Sequence, residues 1–260
     1  MSRDIHKKKH LSSFQLIILG FAGVILLGSI LLMLPVSSLD KVPTPFHEAL
    51  FTATSAVCVT GLVVKDSGSY WSVFGQTVIL ALIQIGGLGV VTVAAAVSLL
   101  SGKKISLMQR STMQDAISAP KVGGIVRLTR FILKGTFLIE ATGAVLLLPA
   151  FLSDYGVKGI WLAVFHSISA FCNAGFDIIG DGKSMLSYRH DPLVLCTLAI
   201  LVAIGGLGFI VWEDIIAKKS WKKLNVYSKV IILAQIFFIV VGTFVYFILH
   251  IHLISHFCIP

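Results

Sequence analysis

Two stretches of this chain repeat each other at a fixed spacing. Ser55, Ala56, Cys58 and Gly61 recur as Ser169, Ala170, Cys172 and Gly175, each pair 114 positions apart. Further along, Ile85-Gly86-Gly87-Leu88-Gly89 recurs as Ile204-Gly205-Gly206-Leu207-Gly208 at a spacing of 119. Matches at one offset mean that a single structural unit is used more than once, and this constrains the fold more than any local propensity does.

The surroundings of the repeats are apolar. Hydrophobic residues make up 56% of the chain and charged residues 13%, a balance foreign to ordinary soluble domains. Phe14–Leu34 runs for 21 residues without a charge, enough to cross about 30 Å of hydrocarbon. Trp71–Leu100 runs for 30 and predicts a tilted or extended span. Phe131–Leu152, Pro192–Trp212 and Val230–Leu249 complete five expected transmembrane helices. The first run is too long for a signal peptide and lacks a small-residue cleavage site, so it reads as a retained span.

Two further apolar stretches, Phe46–Val57 and Trp161–Phe171, are too short to cross, and each leads into a Cys-x-x-Gly sequence. That length predicts re-entrant helices followed by extended loops. Backbone of that kind survives at membrane depth only where protein buries it or water bathes it. The expected fold is therefore an all-α membrane protein built of span, pore helix and span. Residues 1–13 form a tail, 14–100 the first repeat and 101–125 a connector. Residues 126–217 form the second repeat, and 218–260 begin a third.

Basic residues orient this arrangement. With the N-terminus cytoplasmic, 16 of the 21 Lys and Arg residues fall on the cytoplasmic side. Lys41, Lys65, Lys158, Lys183 and Arg189 face outward, and both re-entrant loops enter from outside. The net charge of +9 is thereby a matter of topology, which removes the case for a nucleic-acid partner.

The loops hold the residues with a chemical task. A half-helix points its C-terminal carbonyls at the bilayer centre, where they favour a cation. Extended backbone after it exposes oxygens that replace the hydration shell of an ion. Gly61 and Gly175 open backbone angles closed to other residues. Neither 54–62 nor 168–176 contains a carboxylate, which suits a monovalent ion better than calcium or magnesium. The plainer reading is that each glycine only turns a buried loop.

With these motifs in view, the chain resembles the Trk, Ktr and HKT superfamily of potassium-uptake proteins, and most closely the Ktr-type membrane subunit. Phe171-Cys172-Asn173-Ala174-Gly175-Phe176-Asp177 and Gly86-Gly87-Leu88-Gly89 carry the likeness. The resemblance implies potassium uptake through one pore ringed by four repeats, each giving one loop to a selectivity filter. Here the filter segments would be Val57, Cys58, Val59, Thr60 and Gly61, and Phe171, Cys172, Asn173, Ala174 and Gly175. It also implies a homodimer of the full-length protein and leaves sodium open as a coupling ion. A cytosolic ring of nucleotide-binding regulatory subunits would supply the only nucleotide. The chain departs from the family pattern by carrying two of the four loops, so the expectation is a truncated or fragmentary pore. A non-conducting assembly subunit and a secondary cation transporter remain the alternatives.

Other residues admit two readings each. Glu140 lies inside a span, where a charge costs at least about 2.5 kcal/mol unless satisfied. It is either a cation relay or, the preferred reading, a hydrogen-bonded structural group paired with Lys134 or a neighbouring helix. Cys58, Cys172, Cys196 and Cys258 are sparse and flanked by apolar residues, which points to packing. Gly86, Gly87, Gly89, Gly205, Gly206 and Gly208 are expected mid-helix, packing against the pore helix of their own repeat or serving as a hinge. His6 and His10 belong to a solvated tail, and the 103–124 connector to an interfacial helix or a docking surface for the regulatory ring. No nucleophile–base pair, resident metal cluster or phosphate loop is present in the sequence, so no enzyme activity and no bound cofactor are expected.

Overall fold

The computed structural model describes residues 12–90, 92–94, 125–180, 182 and 184–257. The connector at 101–124, the tail up to residue 11, Lys183 and Cys258 lie outside the described residues. The chain divides into two compact units, Met1–Gly206 and Leu207–Pro260.

The first unit holds both pore hairpins. Helix α1 spans Ser13–Met33 and opens with a capping box in which Ser12 and Gln15 bond each other's backbone amides. The short pore helix α2, Phe46–Val57, starts after Pro45 and carries Glu48 in its first turn, where a helix favours negative charge. Glu48 also meets Lys65 at 3.3 Å. Ser72 caps the start of α3, Val73–Leu88, by accepting from the Gly75 amide. The C-terminal end of α1 and the N-terminal end of α3 are tied together, with Leu39 N donating to Tyr70 O at 2.9 Å and Ser72 Oγ to Val36 O at 2.6 Å.

The second hairpin repeats this order. Helix α4, Ile125–Tyr155, continues through Pro149, which removes one backbone donor without ending the helix. A tight turn at Gly156, φ +57°, leads into the pore helix α5, Lys158–Phe171. At Gly159 a Cβ would strike the carbonyl of Phe151, so only glycine lets α5 fold back this closely on α4. Asp191 then accepts from the amides of Leu193 and Val194 and starts α6, Pro192–Gly206.

Two expected spans are not continuous helices. In the run from Trp71 the helix ends at Leu88, because Gly89 adopts φ +83°, and helix resumes at the described residues beyond it, 90 and 92–94. The run from Pro192 stops at Gly206, and Gly208 adopts φ +80° before α7, Phe209–Lys218. The repeated glycine pentapeptides therefore end helices, where mid-helix positions were expected. A charge-free run reports hydropathy and says nothing of a left-handed residue within it.

In the second unit, α7 is followed by α8, Val226–Phe257. Asp214 closes the turn between them, accepting from the Asn225 amide at 2.8 Å and from Lys218 at 2.9 Å. Among the described residues, α1, α4 and α8 are long and apolar enough to cross a membrane. Large apolar side chains stand fully outward, among them Phe14 at 72% and Phe137 at 75% exposure. So many apolar groups facing out fit a lipid boundary rather than water. This is an all-α membrane protein.

Candidate functional site

Each pore helix ends in the same hydrogen-bonded turn. In the first, Thr60 N donates to Ser55 O at 3.0 Å and Val59 N to Ala56 O at 3.3 Å. In the second, Ala174 N donates to Ser169 O at 2.8 Å and Asn173 N to Ala170 O at 3.0 Å. These paired bonds form a Schellman cap, which needs a left-handed residue just past the helix. Val59 and Asn173 supply it, both with φ 57°, and Gly61 and Gly175 follow two positions later, both with φ +70°. The sequence repeat is thus a backbone repeat, angle for angle. Asparagine adopts this conformation readily, whereas a β-branched valine there is an outlier.

The two loops meet. A Cβ built on Gly61 would lie 2.6 Å from the Ala174 carbonyl oxygen and 3.3 Å from the Gly175 Cα. Of the segments Val57–Gly61 and Phe171–Gly175, Gly61 therefore meets Ala174 and Gly175 within the first unit. Side-chain hydroxyls brace each turn from within, Ser55 Oγ against Thr60 Oγ1 at 2.9 Å and Ser169 Oγ donating to Phe176 O at 2.7 Å. Cys58 is exposed and Cys172 buried, so the equivalent thiols have unlike surroundings.

The glycine pentapeptides back these loops. At Gly86 a Cβ would collide with the Val57 carbonyl, and at Gly205 with the Phe171 carbonyl, the same position of the other repeat. Gly87 instead faces Cys172, a residue of the second hairpin. Gly89 and Gly208 supply left-handed backbone, and Gly206 closes α6.

Asp66 knots the segments that follow the two loops. One carboxylate oxygen accepts from the amides of Gly68 and Ser69, the other from Gly182 of the second hairpin at 2.9 Å. Burial alone would raise this carboxyl, but the amides of Ser69, Gly182 and Gly68 outweigh it and hold the group below the ordinary aspartate value. Beside the second loop opens a recess of about 310 Å³ lined by His166, Ser169, Asn173, Gly175 and Asp177. Among the described residues no three His, Cys, Asp or Glu side chains gather to hold a metal.

Glu140 is 6% exposed and accepts from Gln84 Nε2 with both oxygens, at 2.9 and 3.1 Å. Its partner is therefore an amide of a neighbouring helix. Two residues of this region were not singled out from sequence. His166, fully enclosed in α5, bonds Leu162 O through Nδ1 and the Ile178 amide through Nε2. Gln84 was the other, and its signal is the repeat itself, because Ala203 occupies its place in the second copy.

The family model for TrkH, a cation transport protein, matches residues 8–254. The chain belongs to the TrkH family. Relatives within reach of this TrkH-family chain include the potassium/sodium uptake protein NtpJ of Enterococcus hirae, 41% identical over 93% of this chain and 53% of its own length. Ktr system potassium uptake protein B of Bacillus subtilis is 40% identical over 84% of this chain and 48% of its own. The protein of the same name from Vibrio alginolyticus is 38% identical over 92% and 52%. The chain spans about half the length of these relatives.

Proposed function

We propose that this chain supplies two of the loops lining a potassium-selective uptake pore in the cell membrane, with its N-terminus cytoplasmic. The observation that carries the reading is the matched backbone of the two loops, left-handed at Val59 and Gly61 and again at Asn173 and Gly175, meeting at the glycines. In extended chain successive carbonyls point to opposite sides. Left-handed residues at alternate positions turn them toward one side, as a ring of oxygens around a dehydrated cation requires. Such neutral dipoles suit potassium, and sodium is the second ion that the name of NtpJ brings into consideration.

Two loops make two walls of a pathway, and two more, from this polypeptide or another, close it. Open loop backbone facing lipid would cost several kcal/mol for each unsatisfied group. Two relatives are named as parts of a Ktr system, which supports a partnered assembly. In our reading that assembly is a homodimer of pore subunits on a cytosolic nucleotide-binding ring. Transport proceeds without covalent chemistry.

Growth of a potassium-uptake-deficient cell at low potassium tests this. Residues 1–260 alone insert without rescue, and supplying two further loops restores growth. Rescue that survives Gly175→Ser undiminished would overturn the reading.

A further inference from the structure

Gln84 breaks the symmetry of the two repeats, since Ala203 stands in its place before the second glycine pentapeptide. An amide inside an apolar helix is costly unless bonded, and this one is engaged at both ends. Its Nε2 donates to both Glu140 oxygens, at 2.9 and 3.1 Å, and its Oε1 lies 3.9 Å from the Cys172 thiol sulfur. Glu140 belongs to α4, and its backbone carbonyl accepts from Ser167 Oγ of the pore helix α5 at 2.7 Å. Three residues beyond Gln84, on the same face of α3, Gly87 leaves the space that Cys172 fills. A Cβ there would lie 2.5 Å from the Cys172 sulfur. The thiol of the second loop is thus seated in a notch of the first repeat, whose floor is Gly87 and whose wall is the Gln84–Glu140 pair. Cys58, its counterpart, is exposed.

We propose that Gln84 and Glu140 are positioning residues that hold the second filter loop against the first repeat and thereby set ion selectivity. Glu140 acts in this as a hydrogen-bond acceptor, not as a stop for the transported cation. The proposal rests on the reading of Phe171–Gly175 as filter, and the test separates the two.

Uptake of potassium and sodium is measured for the assembled transporter, with membrane insertion quantified beside it. Gln84→Leu and Glu140→Leu each lower the potassium-to-sodium ratio about 3- to 10-fold, the scale of one intramembrane hydrogen bond, while insertion holds. Glu140→Gln keeps an acceptor and keeps the ratio. The exchanged pair Gln84→Glu with Glu140→Gln rebuilds the bond in reverse and likewise keeps the ratio. Equal loss in Glu140→Gln and Glu140→Leu would mean that the charge itself matters, and would overturn the acceptor role. Gly175→Ser is the control. If it leaves the ratio unchanged, the filter reading fails; if it lowers the ratio while both leucine variants do not, the positioning role fails. Should the leucine variants not insert, Gln84→Asn, too short to reach both partners, carries the test. It raises the maleimide reactivity of Cys172 about 3- to 10-fold, and an unchanged rate contradicts the proposal.

Discussion

Val59 and Asn173 show how one backbone conformation is reached by two unequal side chains. Both stand at φ 57° one residue past the C-cap of a pore helix. Asparagine is at ease there, while a residue with a branched Cβ crowds the following carbonyl at a cost of about 1–2 kcal/mol. Val59→Asn should therefore raise stability by about 1 kcal/mol in thermal unfolding of the detergent-solubilised protein. A decrease would mean that the valine side chain holds the first loop in a way its strain conceals. Read alone, Val59 argues against a left-handed turn, and only its alignment with Asn173 hints at one. The glycines were legible because nothing but glycine enters so much of φ–ψ space without penalty. Gln84 and His166 were not, because a lone polar residue in an apolar run does not name its partner. For Glu140 the sequence reading allowed a neighbouring helix, but it could not say which.

At the scale of the helix, legibility followed length and charge. The first pore helix has the bounds read from its apolar run, Phe46–Val57, since Pro45 fixes its start and the capped turn its end. The second begins three residues earlier than read, at Lys158, because the glycine turn at 156 lets the chain reverse sooner. The second helices of both hairpins were read as unbroken and are not, since Gly89 and Gly208 interrupt runs in which hydropathy never changes. The contact of these helices with the pore helices sets a clear expectation. Gly86→Ala and Gly205→Ala each push a Cβ into a backbone carbonyl that has no room to yield, and should cost about 1–3 kcal/mol as overpacking. Gly23→Ala in α1 meets nothing within 4 Å and should be neutral or stabilise by up to about 1 kcal/mol through helix propensity. Unfolding midpoints of the three variants check this, and equal effects at Gly86 and Gly23 would contradict the close packing.

The whole molecule was the most legible level, because a repeat and a hydropathy profile are global signals that local error does not erase. Both gave a helical membrane protein of duplicated hairpins, and the family match over residues 8–254 agrees with it. The orientation rests on basic residues alone and has its own test. A cysteine at exposed Val64 should react with an impermeant reagent from outside, and one at exposed Lys222 only after the membrane is opened. The opposite pattern would invert the molecule. The central claim is that the converging loops choose the ion by their backbone, and ion flux into proteoliposomes holding the assembled transporter measures that choice directly. Wild-type loops should pass potassium in preference to sodium, and Gly61→Ser, which brings a Cβ onto the Ala174 carbonyl, should lower that preference about tenfold, near 1.4 kcal/mol. An unchanged potassium-to-sodium ratio in Gly61→Ser would contradict the account.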